Sequence, residues 1–287
     1  MLIDFRVRPP LPSFANQVIF KSHTAQRLLI EQKTLPLIHR NRGESKSAVL
    51  RSVDLMIEEM DDAGVTHSVI VGRDTGPEYG VSDNIEIAEF CSASNNRFVG
   101  FAGINGGNPS AAINEVRRVR ALGLRGVAFD NGFFNLHEDD PSLWPLYDAI
   151  AKEELPIILT SSMLLGPDMS YSHPEHIRVV AKKYPQTPIV VAHASWPWTT
   201  LICAVAFECP NVYLLPDCYL NMRAPGADEY INAANQFMPE RLLYGSAYPV
   251  RPIGESVRGF KALPLSEAAM EGALWRNAKR LLSWPSV

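Results

Sequence analysis

The first ten residues, Met1 to Pro10, read MLIDFRVRPP, and the apolar stretch within them predicts a short buried strand from Leu2 to Val7 that a pair of prolines ends. Arg6 and Arg8 stand on alternate positions at its carboxyl end, so their side chains point to the same side of the strand. Two like charges that face inward are costly to bury without a strong anionic partner. The opening of the chain therefore predicts a strand with a cationic site at its end.

Seven further apolar runs follow along the chain, at His67–Val71, Phe98–Ala102, Gly126–Phe129, Ile157–Leu159, Ile189–Ala192, Val212–Leu215 and Leu242–Tyr244. They are continuous rather than alternating, which is typical of parallel strands covered on both faces. Helical patterns accompany them, at Lys46–Ala63, Asn84–Ser94, Ala111–Leu122, Ser142–Glu154, Pro174–Tyr184, Thr199–Glu208, Ala227–Phe237 and Ser266–Leu282.

Strands and helices in this order predict the α/β class, with a single (β/α)8 TIM barrel that spans residues 1–287. A doubly wound sheet is the alternative. No glycine-rich dinucleotide fingerprint or phosphate loop supports that alternative. We therefore look for functional residues at the carboxyl ends of the strands, where barrel enzymes carry them.

The segment Pro9–Ser45 interrupts the regular alternation of predicted strands and helices, because it separates the first strand from its helix. It contains a helix-like stretch, His23–Gln32, and a basic run, His39–Arg42. A connection of this length usually has a function of its own. We expect a distorted barrel in which this insertion is either a lid or an oligomer contact, and the sequence does not separate the two.

Composition limits the class of protein. The chain has 287 residues, of which 46% are hydrophobic, and a formal net charge of -4. Its basic residues are scattered, so we expect no nucleic-acid or membrane partner. The four cysteines form no CxxC pair and are expected to be reduced thiols. Neither a signal peptide nor a membrane-spanning run is found, which favours a cytoplasmic location.

Polar and aromatic residues follow most of the predicted strands. The candidates are Arg6, Arg8, Arg73, Asp130, Thr160, Ser161, His193, Trp196, Asp217, Ser246 and Tyr248. Because the strand ends of a barrel meet at one mouth, we expect these side chains to form one site.

The arginines can bind an anion. Arg6 and Arg8 together offer bidentate geometry for a carboxylate or phosphate, and Arg73 can add a third positive group. The alternative is structural: Arg6 and Arg8 can pair with acidic residues such as Asp130 or Asp217, and Arg73 can pair with its neighbour Asp74. Both interpretations can hold at once.

His193, Asp130 and Asp217 are the candidate catalytic residues. The pKa of an imidazole lies near neutrality, so His193 can act as a general base or acid, and nearby arginines would favour its neutral form. It can also be a satisfied structural histidine. Asp217 is expected at the rim, and each aspartate can serve as a base or as the partner of an arginine.

Hydroxyl and aromatic side chains complete the predicted site. Thr160, Ser161 and Ser246 can bind a ligand or cap helices, and none lies in a Gly-x-Ser-x-Gly elbow. Trp196 and Tyr248 can form an apolar wall for a planar substrate, or pack in the core.

Several short motifs, in the same order as in a known family, resemble the amidohydrolase-related family typified by aminocarboxymuconate semialdehyde decarboxylase. The family opens with Ile-Asp-x-His-x-His, and here the same place reads IDFRVR from Ile3 to Arg8. Other matches are the stretch DDP at Asp139–Pro141, the strand-six histidine His193, and Asn-Ala-x-x-Leu at Asn277–Leu281. The resemblance spans essentially the whole chain and implies a (β/α)8 hydrolase or decarboxylase.

The metal site that the resemblance implies does not carry over. Its ligand positions correspond here to Arg6, Arg8, Thr160, His193 and Ala247, of which His193 alone is kept. Arginine has no lone pair and stays positively charged, so it repels a divalent cation. Because a catalytic zinc needs three protein ligands, we predict neither a metal nor another cofactor.

These arguments favour a metal-independent hydrolase that acts on a small carboxylate-bearing substrate, such as a lactone or cyclic amide, held by Arg6 and Arg8. The alternatives are a metal-free decarboxylase or lyase, and an inactive homologue that binds an anionic metabolite or a partner subunit. The resemblance also implies a homodimer. Since Ala247 stands where related metal-free lactonases keep an aspartate base, another residue must supply the base.

Overall fold

The computed structural model describes residues 1–15, 17, 20 and 45–284. Its strands β1 to β7 lie, in chain order, at Ile3–Val7, His67–Val71, Phe98–Ile104, Gly126–Phe129, Ile157–Thr160, Ile189–Ala192 and Val212–Leu215. Each strand pairs in parallel with the next one along the chain. This order, with helices between the strands, is the topology of a TIM barrel, and the predicted fold class is confirmed.

Residues 242–248 occupy the eighth strand position and close the barrel. The backbone N–H of Leu243 donates to β7 at 2.9 Å, and that of Arg8, just after β1, donates to the carbonyl of Tyr248 at 3.0 Å. The segment makes isolated bridges rather than a ladder. A regular strand at Leu242–Tyr244, as predicted, is therefore wrong, although the chain runs where that strand was expected.

Helices cover the outside of the barrel. Those of five or more residues lie at Lys46–Leu50, Val53–Ala63, Asn84–Ala93, Pro109–Arg118, Trp144–Lys152, Pro174–Lys183, Thr199–Glu208, Asp228–Gln236, Ile253–Lys261, Glu267–Glu271 and Asn277–Leu282. Single α-helical turns lie at Pro12–Ala15, Gly76–Tyr79 and Cys218–Asn221. Short 3₁₀ segments lie at Asn131–Phe134, Pro141–Leu143, Met169–Ser172 and His193–Ser195, and a π-helical segment lies at Gly272–Arg276.

Two predicted helices are interrupted in the structure, and one observed helix was not predicted. The helix predicted at Lys46–Ala63 breaks at Arg51, whose φ is 52°, and Ser52 caps the second half. The helix expected over Ser266–Leu282 contains the π-helical segment. The helix Ile253–Lys261, which begins just after Pro252, was not predicted.

The core has two layers, which the barrel wall separates. Inside the barrel lie Ile3, Phe5, Val69, Val71, Phe101, Ala128, Ile158, Val190, Ala192, Leu215 and Leu243. A larger apolar cluster fills the space between the strands and the helices. Each fully buried aliphatic or aromatic side chain contributes about 1.5–3 kcal/mol of transfer free energy, so these layers hold the frame on which the strand ends sit.

Most of the predicted insertion, Pro9–Ser45, lies outside the described residues, so its role as lid or oligomer contact stays a prediction. The chain that follows it is held at the barrel mouth. The hydroxyls of Ser47 and Tyr248 are 2.8 Å apart, and Ser47 also donates to Glu59 at 2.7 Å. Across the part of the chain described here, no helix is both long and apolar enough to cross a membrane.

Candidate active site

An irregularity in β1 places Arg6 at the mouth of the barrel. Ile3 and Phe5 already face the barrel interior, so strict alternation would turn Arg6 outward. The pairing register of β1 shifts between Asp4 and Val7, and Val7 packs in the outer layer. Such a bulge re-aims the following side chains. The Asp4 carboxylate supports it by accepting from the backbone N–H of Arg6 at 3.1 Å.

Arg6 is bound by residues that directly follow β6 and β7. Its Nη1 donates to Asp217 Oδ2 at 2.8 Å and lies 3.1 Å from His193 Nε2. His193 Nδ1 lies 2.9 Å from Asp217 Oδ1. Because an arginine only donates, Nε2 of His193 must accept, so the ring proton sits on Nδ1 and is donated to Asp217. The three side chains form one closed set of hydrogen bonds.

The backbone that presents His193 and Asp217 is strained. His193, Ala194 and Ser195 have φ values of 63°, 42° and 53°, and Asp217 has a φ of 43°. Non-glycine residues in this region cost about 1–3 kcal/mol each, and they persist only where their surroundings hold them. Tyr230 provides such support, since its hydroxyl donates to the carbonyl of Ala194 at 2.8 Å.

Arg73 and Asp130 form a second ion pair at the mouth. Arg73 donates through Nε and Nη2 to the two carboxylate oxygens of Asp130, at 3.0 and 3.3 Å. A Cβ on Gly72 would lie 2.4 Å from the backbone nitrogen of Gly103, so both glycines are needed where β2 and β3 come close and direct Arg73 inward. The alternative pairing of Arg73 with Asp74 is therefore wrong.

Arg8 interacts electrostatically with both ion pairs and is only 2% exposed. Among the described residues, neither its Nε nor its Nη2 has a hydrogen-bond partner. Burial and the charges of Arg73 and Arg6 lower the pKa of Arg8 well below its ordinary value, although Asp130 and Asp217 act in the opposite direction. Arg8 is thus a buried guanidinium that no carboxylate of the described residues contacts directly.

The catalytic candidates are held in defined protonation states. Burial opposes ionisation of Asp217, but His193 and Arg6 outweigh it and hold its pKa well below the usual range. In Asp130, the charges of Arg73 and Arg8 overcome the same effect and lower the pKa to about 2. Burial lowers the pKa of His193, so the ring is neutral at neutral pH. Asp217, which we expected at the rim, is in fact 1% exposed, because Arg6 neutralises it inside the barrel.

Two carboxyl groups near the strand ends were missed by the sequence analysis. Burial raises the pKa of Asp4 to about 6, and its Oδ2 has no partner. Burial also raises the pKa of Glu138 to about 8. Asn131 donates to Glu138, and the hydroxyl of Tyr147 donates to the Glu138 carbonyl at 2.9 Å. The signal for Asp4 was its place two residues before Arg6, while Glu138 lies in a polar run that gives no such signal.

The predicted hydroxyl ligands differ in their surroundings. The Thr160 side chain helps to lower the pKa of Asp130 and so lies beside the charged site. Ser161 and Ser195 share a hydrogen bond of 2.8 Å between their hydroxyls. Ser246 donates its backbone N–H to Asp4 at 2.9 Å, and its hydroxyl accepts from the following backbone. Ser161 and Ser246 thus already form hydrogen bonds with neighbouring loop residues.

The two aromatic candidates, Trp196 and Tyr248, also lie in different surroundings. Trp196 stacks on Tyr219 with ring centres 4.7 Å apart, and Tyr219 meets the His193 ring edge to face at 5.4 Å. These rings form a wall beside His193. Tyr248 instead belongs to the outer layer and bonds Ser47. It therefore packs away from the arginines, unlike the wall that we expected.

A cavity of about 470 Å³ lies beside β3, apart from the arginines. Its lining includes the carboxylates of Asp74, Asp83 and Glu115. None of the described residues that line it is basic. An anionic ligand would be repelled there, so the charges favour the strand-end arginines as its site.

The fold and this site define a (β/α)8 barrel protein with a charged centre at the carboxyl ends of its strands. The family model described as amidohydrolase matches residues 5–284, and the chain belongs to this family. A search of curated proteins finds no match.

Solved structures extend this comparison. An uncharacterised TIM-barrel protein from Bordetella bronchiseptica is 35% identical, with a TM-score of 0.90 over 99% of this chain and 98% of that one. A 2,6-dihydroxybenzoate decarboxylase from Rhizobium is 17% identical, with a TM-score of 0.71 over 98% of each chain. A dihydroxybenzoic acid decarboxylase from Polaromonas sp. JS666, solved with bound manganese, is 18% identical, with a TM-score of 0.67 over 100% of this chain and 98% of that one. The two decarboxylases share the fold.

The residues present do not fit a divalent metal at this centre. Donor atoms of His193, Asp217 and Cys218 lie within 4.8 Å of one another. However, the Arg6 guanidinium already engages His193 Nε2 and Asp217 Oδ2. Burial raises the pKa of the Cys218 thiol well above its usual value, which keeps it protonated. A cation would have to displace Arg6 and bind beside its charge.

Proposed function

We propose that this chain is a decarboxylase that acts on a small planar carboxylate and uses no divalent metal. The observation that carries the proposal is Arg8, a buried guanidinium with unpartnered Nε and Nη2. An arginine binds a carboxylate through two parallel hydrogen bonds, so a substrate carboxylate would fill these unmet donors. The stacked rings of Trp196 and Tyr219 offer a surface for a planar substrate.

Hydrolysis, which the sequence favoured, is supported less well by the site. A general base must take a proton from water. Asp217 and Asp130 are weak bases because their pKa values are held low, and the Nε2 lone pair of His193 accepts from Arg6. Decarboxylation does not need an activated water. The similarity in fold to decarboxylases supports the same choice.

In the proposed reaction, the bond between the substrate carbon and its carboxylate breaks, carbon dioxide leaves, and a proton takes its place on the carbon. The electron pair that remains on the carbon would lie in the positive field of Arg8, since Arg6 and Arg73 are already paired with Asp217 and Asp130. Glu138 and Asp4 are candidate proton sources, since burial raises the pKa of each carboxyl group.

The test is an assay of chelator-treated protein with hydroxybenzoates and related planar acids in deuterated water. We expect release of carbon dioxide and a product deuterated at the carbon that lost the carboxylate, with no gain on adding manganese. Arg8→Met should abolish turnover, whereas Arg125→Met, at an exposed arginine, should not. Strict dependence on manganese, ring opening of lactones in place of decarboxylation, or binding of these acids without turnover would each overturn the proposal.

A further inference from the structure

The three arginines at the barrel mouth differ in what neutralises them. Arg6 lies 2.8 Å from a carboxylate oxygen of Asp217. Arg73 holds both oxygens of Asp130, at 3.0 and 3.3 Å. Arg8 has no such contact through Nε or Nη2. Two of the three positive charges are therefore already compensated.

Arg8 lies within the electrostatic reach of both pairs, since Arg73, Arg6, Asp130 and Asp217 all act on its pKa. A ligand bound to Arg8 therefore also faces Asp130 and Asp217. Its first negative charge gains the attraction of an uncompensated guanidinium. A second negative charge would find two arginines that are already paired, beside two carboxylates that repel it.

From this arrangement we propose that the site selects substrates with a single carboxylate and a single negative charge, and rejects dicarboxylates and phosphate esters. This inference rests on the proposed function and narrows its substrate class. Two ion pairs act on one guanidinium whose Nε and Nη2 lack partners among the described residues, so the charges of the site accommodate one carboxylate. The selectivity for substrates depends on which arginine lacks a partner and not on the total number of arginines.

The remaining ionisable groups of the site do not alter this pairing. His193 is neutral, because its Nε2 accepts from Arg6 and burial lowers its pKa. The Asp4 carboxyl group accepts from the backbone N–H groups of Arg6 and Ser246. The charges that act most strongly on the pKa of Arg8 are those of Arg73, Arg6, Asp130 and Asp217.

The experiment measures binding with three probes of similar shape at neutral pH: benzoate, isophthalate and phenyl phosphate. We expect benzoate to raise the melting temperature and isophthalate and phenyl phosphate to bind at least about tenfold more weakly, a difference of about 1.4 kcal/mol. Arg8→Met should remove the benzoate response. Arg125→Met controls for the loss of an arginine.

A charge-switch variant tests the reason for the selectivity. Asp130→Asn keeps the side-chain shape but leaves Arg73 without its carboxylate. This variant should prefer isophthalate to benzoate, the reverse of the unmodified protein. Should it fail to fold, Asp217→Asn makes the same change at Arg6, and the ratio of the two probes in the unmodified protein remains a test by itself.

The outcomes separate the two proposals. If benzoate and isophthalate bind equally well and both need Arg8, carboxylate binding at Arg8 stands and the single-charge selectivity is overturned. If Asp130→Asn and Asp217→Asn fold but keep the original preference, the pairing argument is overturned as well. If neither probe binds, or binding is indifferent to Arg8→Met, the carboxylate site fails together with the selectivity.

Discussion

The interior of this barrel has two levels with opposite chemistry. The lower level, around Phe5, Phe101 and Ile158, is an apolar cluster whose residues need no particular partner. The upper level, at the carboxyl ends of the same strands, contains buried charged groups such as Arg6 and Asp217. Lower-level packing depends on volume and area, whereas upper-level contacts depend on which donor meets which acceptor.

This difference shows what each level is for. Replacing buried ion pairs by apolar residues is often neutral or stabilising, so the charges of the upper level are not explained by stability. Apolar packing in the lower level and the outer layer offsets the free energy that it costs to bury these charges. In our proposal a ligand binds the buried Nε and Nη2 of Arg8, which have no partner among the described residues.

The largest expected effect comes from breaking one pair of the upper level. Arg6→Met leaves Asp217 buried without its guanidinium, and it removes the donor that His193 Nε2 accepts from. We expect a loss of about 3–5 kcal/mol in the free energy of unfolding, because one uncompensated charge stays behind. Urea denaturation measures this loss.

A double variant sharpens the result. Arg6→Met combined with Asp217→Leu removes both charges, so it should recover part of the stability that Arg6→Met loses. Equal stabilities for Arg6→Met and the unmodified protein would mean that the ion pair does not hold the upper level together.

A smaller effect concerns pH, through Glu138, whose pKa burial raises to about 8. The folded protein keeps a proton there that the unfolded chain releases near its ordinary value of 4.5. Stability therefore falls as pH rises through this window, by at most about 1.4 kcal/mol per pH unit. Glu138→Gln mimics the protonated group. Its free energy of unfolding should equal that of the unmodified protein near pH 4.5 and exceed it above about pH 8.

Urea denaturation across this pH range measures the effect, and Glu89→Gln, at an exposed position, controls for the loss of a carboxylate. Asn131, Tyr147, Asp130 and Asp139 are the groups that act on Glu138, and the variant leaves all of them in place. Parallel stability curves for Glu138→Gln and the unmodified protein would show that Glu138 is ionised in the folded state.

The lower level could be predicted from sequence and the upper level only in part. Strands at Gly126–Phe129 and Ile189–Ala192 were predicted with their exact bounds, because a continuous apolar run between turn signals defines a buried parallel strand. Periodicity does not reveal a break such as the one at Arg51, where a left-handed residue and a serine cap divide a continuous helical pattern.

The site, too, could be predicted from the sequence only in part. Its members were found because strand ends meet at the barrel mouth, but the pairing of Arg6 with Asp217 and Arg73 with Asp130 depends on distances that only the folded chain sets. The bulge in β1 could not be predicted, since alternation alone puts Phe5 and Arg6 on opposite faces. The unpartnered state of Arg8 is likewise a property of the packed structure.

The smallest expected effect contrasts Arg8 with its neighbour Arg6. Arg8→Met removes a buried guanidinium whose Nε and Nη2 lack partners among the described residues and which Arg6 and Arg73 repel. Without ligand, we therefore expect the free energy of unfolding to rise by about 1–3 kcal/mol, the cost of a buried unsatisfied polar group. The same substitution at two arginines that lie two residues apart would then change the free energy of unfolding in opposite directions. Urea denaturation of both variants measures this difference. A loss of stability in Arg8→Met as large as that in Arg6→Met would mean that Arg8 is satisfied in the folded protein, and the open anion site would have to be abandoned.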